Sequence, residues 1–166
     1  MKFDTKRITF LSLGITLAML LSYVEFLLPP IWSAVPGIKL GLPNLIIMYI
    51  FYKSGALNAA IVSGMRLFLS ALLFGSFLTL LYSLAGAILS FTVILCLKKT
   101  GCFSAVGVSI GGAVFHNLGQ ILMAIAILGT REIGYYMIVL TFTGILSGLF
   151  IGILAALMIK RLDLKI

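Results

Sequence analysis

GGAVFHNLGQ, Gly111–Gln120, stands inside an apolar run from Phe103 to Leu128 and holds the only histidine of the chain. A run of that length crosses the roughly 30 Å hydrocarbon core of a bilayer, which takes about 20 residues of helix. His116, Asn117 and Gln120 have no charged neighbour within the run. Spaced four and three apart on a helix, they share one face. Polar groups in hydrocarbon are costly, so that face must turn toward other protein or a wet cavity. Two readings follow: hydrogen-bonded glue between helices, or the wall of a cavity that binds something.

The rest of the chain has the same character. Of its 166 residues 62% are hydrophobic and 10% charged, against about 25% charged in soluble domains. The expectation is an all-α integral membrane protein, a six-transmembrane-helix bundle in one membrane domain over residues 1–166. The spans fall at Ile8–Leu28, 42–55, Ala56–Phe74, Phe77–Leu97, Phe103–Leu128 and Tyr135–Ile159. The second is short and crosses only if Lys53 snorkels. The apolar part of the first is too long for a signal peptide and no small-residue cleavage site follows it promptly, so it reads as a retained helix.

A net charge of +8 in a soluble protein would point to nucleic acid. Here the basic residues mark the ends of apolar runs, and no nucleic-acid partner is expected. Lys2, Lys6, Arg7, Lys53, Lys98, Lys99, Lys160, Arg161 and Lys165 fall on the face of the termini, and only Lys39 and Arg131 on the other. That asymmetry places both termini in the cytoplasm of a plasma-membrane, multi-pass protein. Residues 31–41, 75–76 and 129–134 then face outward.

Helical rise puts Arg66 about 15 Å and His116 about 20 Å from the cytoplasmic side. Glu25 and Asn44 lie near outer helix ends and Lys39 on an outer loop. Arg66, His116, Asn117, Gln120, Asn44, Lys39 and Glu25 therefore line an expected cup open to the outside. An arginine at the bilayer centre costs about 2.5–3.5 kcal/mol on insertion scales. It is held there by pairing with Glu25 or a carbonyl, or it binds an anionic ligand such as a carboxylate or phosphate.

Small residues recur every fourth position: Gly14, Ala18 and Ser22; Gly107 and Gly111; Gly144, Gly148, Gly152 and Ala156. Such stripes let backbones approach closely. Internal packing is the favoured reading for the last helix. For the first helix, docking of another membrane protein stands equal with it. No GxxxxGK[ST] occurs, so no P-loop is present. The four acidic residues are nowhere paired for Mg²⁺-diphosphate chemistry. One histidine with Cys96 and Cys102, both read as reduced thiols, makes no metal centre. No enzyme activity and no cofactor are expected.

Three pieces, PGIKLGLPNL (Pro36–Leu45), GMRLFLSALLFGS (Gly64–Ser76) and GGAVFHNLGQ, resemble the Gx transporter family, also labelled heptaprenyl diphosphate synthase component I. That family is similar to the substrate-binding S components of energy-coupling factor (ECF) vitamin transporters. The resemblance implies an S-component-like fold with a substrate site near the outer face, under the loop after the first helix. It also implies an ECF-type transmembrane coupling subunit, driven by ATPases, docked on small residues of the first helix. Gly14 and Ala18 stand where S components carry AxxxA, with Gly in place of the first Ala. The expected function is therefore capture of a small-molecule substrate for an importer in the lipid bilayer. The alternatives are an accessory scaffold linked to isoprenoid or quinone metabolism or extracellular electron transfer, and a proton-coupled secondary carrier using Glu25 or His116.

Overall fold

The structure, a computed structural model, describes residues 5–28 and 40–162. All regular elements among them are helical: α1 Thr5–Leu27, α2 Pro43–Lys53, α3 Ala56–Leu73, α4 Phe77–Thr100, α5 Ala105–Leu128, a 3-10 turn Arg131–Tyr135, and α6 Tyr136–Arg161. Five helical stretches are long and apolar enough to cross a membrane: α1, α3, α4, α5, and α6 with its 3-10 lead. The polar turn expected at 129–134 is thus largely the 3-10 lead of α6. α4 runs on through Lys98 and Lys99, where cations complement the negative end of the helix dipole. The tight α3–α4 turn is fixed by a capping box: Ser76 Oγ accepts from Thr79 N at 3.2 Å, and Thr79 Oγ1 accepts from Ser76 N at 2.8 Å.

α2 differs most from expectation. Its 11 residues give a helix about 16 Å long, too short to cross a bilayer as a helix. It is also the most enclosed element, with every residue from Ile46 to Phe51 buried. A helix apolar on all sides belongs in a core, and this one packs against α1, α3 and α6. Its C-terminal end is tied down at the basic end of the bundle. Lys98 Nζ donates to Phe51 O at 3.3 Å and sits 4.3 Å from the Phe51 ring centroid. Tyr49 Oη donates to Leu162 O at 3.3 Å. At the same end Arg7 Nη2 donates to Asn58 Oδ1 at 2.7 Å, joining the starts of α1 and α3.

The helices form two halves. α4, α5 and α6 are held by glycine seams. A Cβ on Gly148 would lie 2.7 Å from Ile110 Cα, one on Gly152 2.8 Å from Val106 Cα, and one on Gly119 2.6 Å from Ala85 O. The stripe of α6 is therefore internal packing, as favoured. α1, α2 and α3 form the other half, joined to the first through α2–α6 and α3–α4 contacts.

The stripe on α1 is corrected by the structure. Gly14, Ala18 and Ser22 are buried, and a Cβ on Gly14 would already lie 2.7 Å from Ile50 Cδ1 of α2. The three residues are small because α2 and α3 press on them, so they present no free face to a docking subunit. The exposed face of α1 carries Leu13, Leu17, Leu20 and Val24 instead.

Candidate functional site

A cavity of about 280 Å³ lies between the two halves. It sits toward the end formed by the last turn of α1 and the α3–α4 turn, away from the basic end. Arg66, His116, Asn117, Gln120, Asn44 and Glu25 all line it. The structure thus gathers every described member of the expected cup; Lys39 lies outside the described residues. α3 and α5 do not pack on each other directly, since α5 packs on α4 and α6. Arg66 and His116 both line the cavity between the halves.

Arg66 carries the buried side-chain nitrogen that lacks a hydrogen-bond partner among the described residues. Its Nη1 donates to Ser22 Oγ at 3.3 Å, and Ser22 Oγ donates onward to Ala18 O at 2.9 Å. Its Nε is buried and has no hydrogen-bond partner among the described residues. Glu25 exerts an electrostatic pull on the guanidinium, while its Oε1 accepts from the backbone N–H of Gly41. That bond anchors the turn into α2 beside the cavity. Gly41 has φ +74°, a left-handed conformation that favours glycine. α2 then begins at Pro43 and Asn44 with no side-chain cap, bringing its partially positive N-terminal end to the wall. The cavity wall thus brings together the Arg66 guanidinium, the Glu25 carboxylate, the His116 imidazole and the start of α2.

Asn117 belongs to both readings given above. Its Nδ2 donates to Leu140 O of α6 at 2.7 Å, so it is glue between α5 and α6 as well as cavity wall. The Gln120 amide makes no hydrogen bond among the described residues and is open to the cavity. Phe26 and Phe74, with ring centroids 5.2 Å apart, close the side between α1 and α3. Among the described residues no three His, Cys, Asp or Glu side chains gather as a metal site would require. Cys96 and Cys102 are free and exposed.

Several contributors were missed from sequence. Ser22, read as a docking residue, is a partner of Arg66. Gly86 gives His116 its room: a Cβ there would lie 2.7 Å from His116 O and 3.0 Å from His116 Cε1. Ser63, Ser90 and Ser109 lie deeper, around a second small cavity. Helical spacing held a signal for two of them. Ser63 is three residues before Arg66, and Ser109 seven before His116, so each shares its partner's face.

Fold and site define a class: a helical, multi-pass membrane protein with a polar cavity enclosed between two sets of helices. The chain belongs to the family described as heptaprenyl diphosphate synthase component I, the Gx transporter family, whose model matches residues 15–158. No curated protein and no solved structure matches it.

Proposed function

We propose that the protein is the substrate-capturing membrane subunit of a small-molecule importer, without chemistry of its own. It takes a ligand bearing an anionic group from the outer face into the cavity between the two halves. A partner coupling subunit with ATPases, of the ECF kind, would then energise release inward. The observation that carries this reading is Arg66, whose buried Nε has no partner among the described residues, at the wall of a cavity large enough for a small molecule. An arginine kept only for packing would be expected to meet its hydrogen-bonding capacity within the protein. In this reading both termini lie in the cytoplasm and α2 stands in for a sixth crossing. The cavity then opens outward, because its rim lies opposite the basic end.

The family description favours a second reading, an accessory membrane component of isoprenoid synthesis. That reading does not require a ligand at Arg66. Mass spectrometry of small molecules co-purifying with the full-length protein separates the two. A molecule present with wild type and depleted by Arg66→Gln supports capture. No specific molecule, or equal retention by Arg66→Gln, favours the accessory role.

A further inference from the structure

The second cavity, of about 50 Å³, adjoins the first. The two share Gly41, Asn44, Arg66, Ala113, His116 and Ser147, and so meet at the level of the guanidinium. The remaining wall of the smaller one is different. Ser63 of α3, Ser90 of α4 and Ser109 of α5 line it and do not line the larger cavity. Their exposures are 6%, 9% and 6%. A serine within a helix commonly returns its hydroxyl to the carbonyl four residues before, as Ser22 does. Ser63, Ser90 and Ser109 make no such bond and no other among the described residues. None of these oxygens is fully buried without a partner, so the three hydroxyls, from three different helices, open onto one small space.

Among the described residues the charged side chain that lines the space is Arg66, with His116 beside it; Glu25 lines only the larger cavity, although its Oε1 accepts from the N–H of Gly41, which lines both. The start of α2, at Asn44, adds its partial positive charge. A metal cation would meet oxygen ligands there, but beside a guanidinium it is repelled. An oxyanion meets a charged donor and three hydroxyl donors. A water needs about 10–15 Å³ of such volume, so the space of about 50 Å³ admits about three to five waters or one compact head group.

We propose that the smaller cavity is the head-group pocket of the substrate. A carboxylate or phosphate enters first and is held between Arg66 and the hydroxyls of Ser63, Ser90 and Ser109. The rest of the molecule fills the larger cavity. The proposal rests on the capture reading above and adds to it the chemical class of the ligand and its direction of entry.

The test uses the full-length protein in detergent, with thermal unfolding followed as sodium acetate, sodium phosphate or sodium chloride is titrated at matched ionic strength. One of the two oxyanions should give a saturable stabilisation that chloride does not, and which one identifies the head group. Ser63→Ala, Ser90→Ala and Ser109→Ala should each weaken its apparent affinity about three- to tenfold, the loss of one hydrogen bond. Thr92→Ala, on the exposed face of α4 and lining neither cavity, should leave it unchanged. A serine variant that fails to fold is replaced by its Ser→Cys counterpart, which keeps the bulk but donates weakly. The absence of a saturable oxyanion effect, or serine variants matching wild type, overturns the proposal. If a molecule depleted by Arg66→Gln still co-purifies undiminished with all three serine variants, capture stands and the head-group pocket falls. If wild type neither carries a molecule nor responds to an oxyanion, both fall.

Discussion

Gly119→Ala should destabilise the protein by pushing against the backbone of α4 where α5 packs on it. The added Cβ would lie 2.6 Å from Ala85 O, 2.8 Å from Gly86 Cα and 2.9 Å from Ala85 C. All three are backbone atoms, so no rotamer change relieves the clash. Ordinary contact begins at 3.4 Å, and the helices must part by roughly 0.8 Å to reach it. Overpacking of this kind costs about 1–3 kcal/mol. For a chain of this size each kcal/mol lowers Tm by about 2–4 °C, so the expected fall is about 2–12 °C in detergent. Gly64→Ala is the control. It lies in α3, its Cβ would meet nothing within 4 Å, and the change should be neutral or stabilising by up to about 1 kcal/mol. The measurement is thermal unfolding of both variants beside wild type. A Gly119→Ala protein melting within a degree of wild type, or no lower than Gly64→Ala, would refute the close approach of the two helices. His116 sits one turn before Gly119, so the same variant should also lose ligand retention.

Three further outcomes are expected. Asn117→Leu removes the bond to Leu140 O and should cost about 0.6–1.7 kcal/mol, the range measured for hydrogen bonds between membrane helices, read as a lower unfolding midpoint. Gly14→Leu should destabilise the isolated protein by driving a side chain into Ile50 and Val62; a stable, folded Gly14→Leu protein would return the stripe to the surface. In a background with Cys96 and Cys102 replaced by serine, a cysteine at Thr130 should react with an impermeant thiol reagent in intact cells and one at Thr100 should not. The reverse would invert the orientation and close the cavity to the outside.

The five long helices were legible because a bilayer demands runs of apolar residues, and their ends carried basic residues, glycines or serine caps. The gathering of Arg66 with His116, Asn117 and Gln120 was legible because uncompensated polar groups inside such runs have few places to go. The orientation of the α1 stripe was not. Gly14, Ala18 and Ser22 have the same spacing whether they face a partner or a neighbour in the same chain, and only Ile50 and Val62 decide it. The hydroxyls of Ser63, Ser90 and Ser109 were passed over for a related reason. A single serine in an apolar helix can satisfy itself on its own backbone, so nothing local marks the three that do not.

α2 connects these features. α1, at 23 residues, is about 35 Å long, whereas α2 supplies about 16 Å of helix and is buried at the basic end of the bundle. Where α2 stops, at Pro43 and Asn44, the space between the two halves is not filled by a helix, and both cavities meet there. The shortness that makes α2 a poor membrane span makes it suitable as the floor of a site. Its apolar body seals the basic end with Tyr49, Ile50 and Phe51, and its polar start faces Arg66. A longer second helix would carry apolar side chains past the guanidinium and leave Arg66 Nε buried against hydrocarbon, where its desolvation goes uncompensated. In this arrangement the arginine is held by Ser22 on one side and faces the cavities on the other. On the capture reading, a ligand entering through them completes the hydrogen bonding that Arg66 Nε lacks among the described residues.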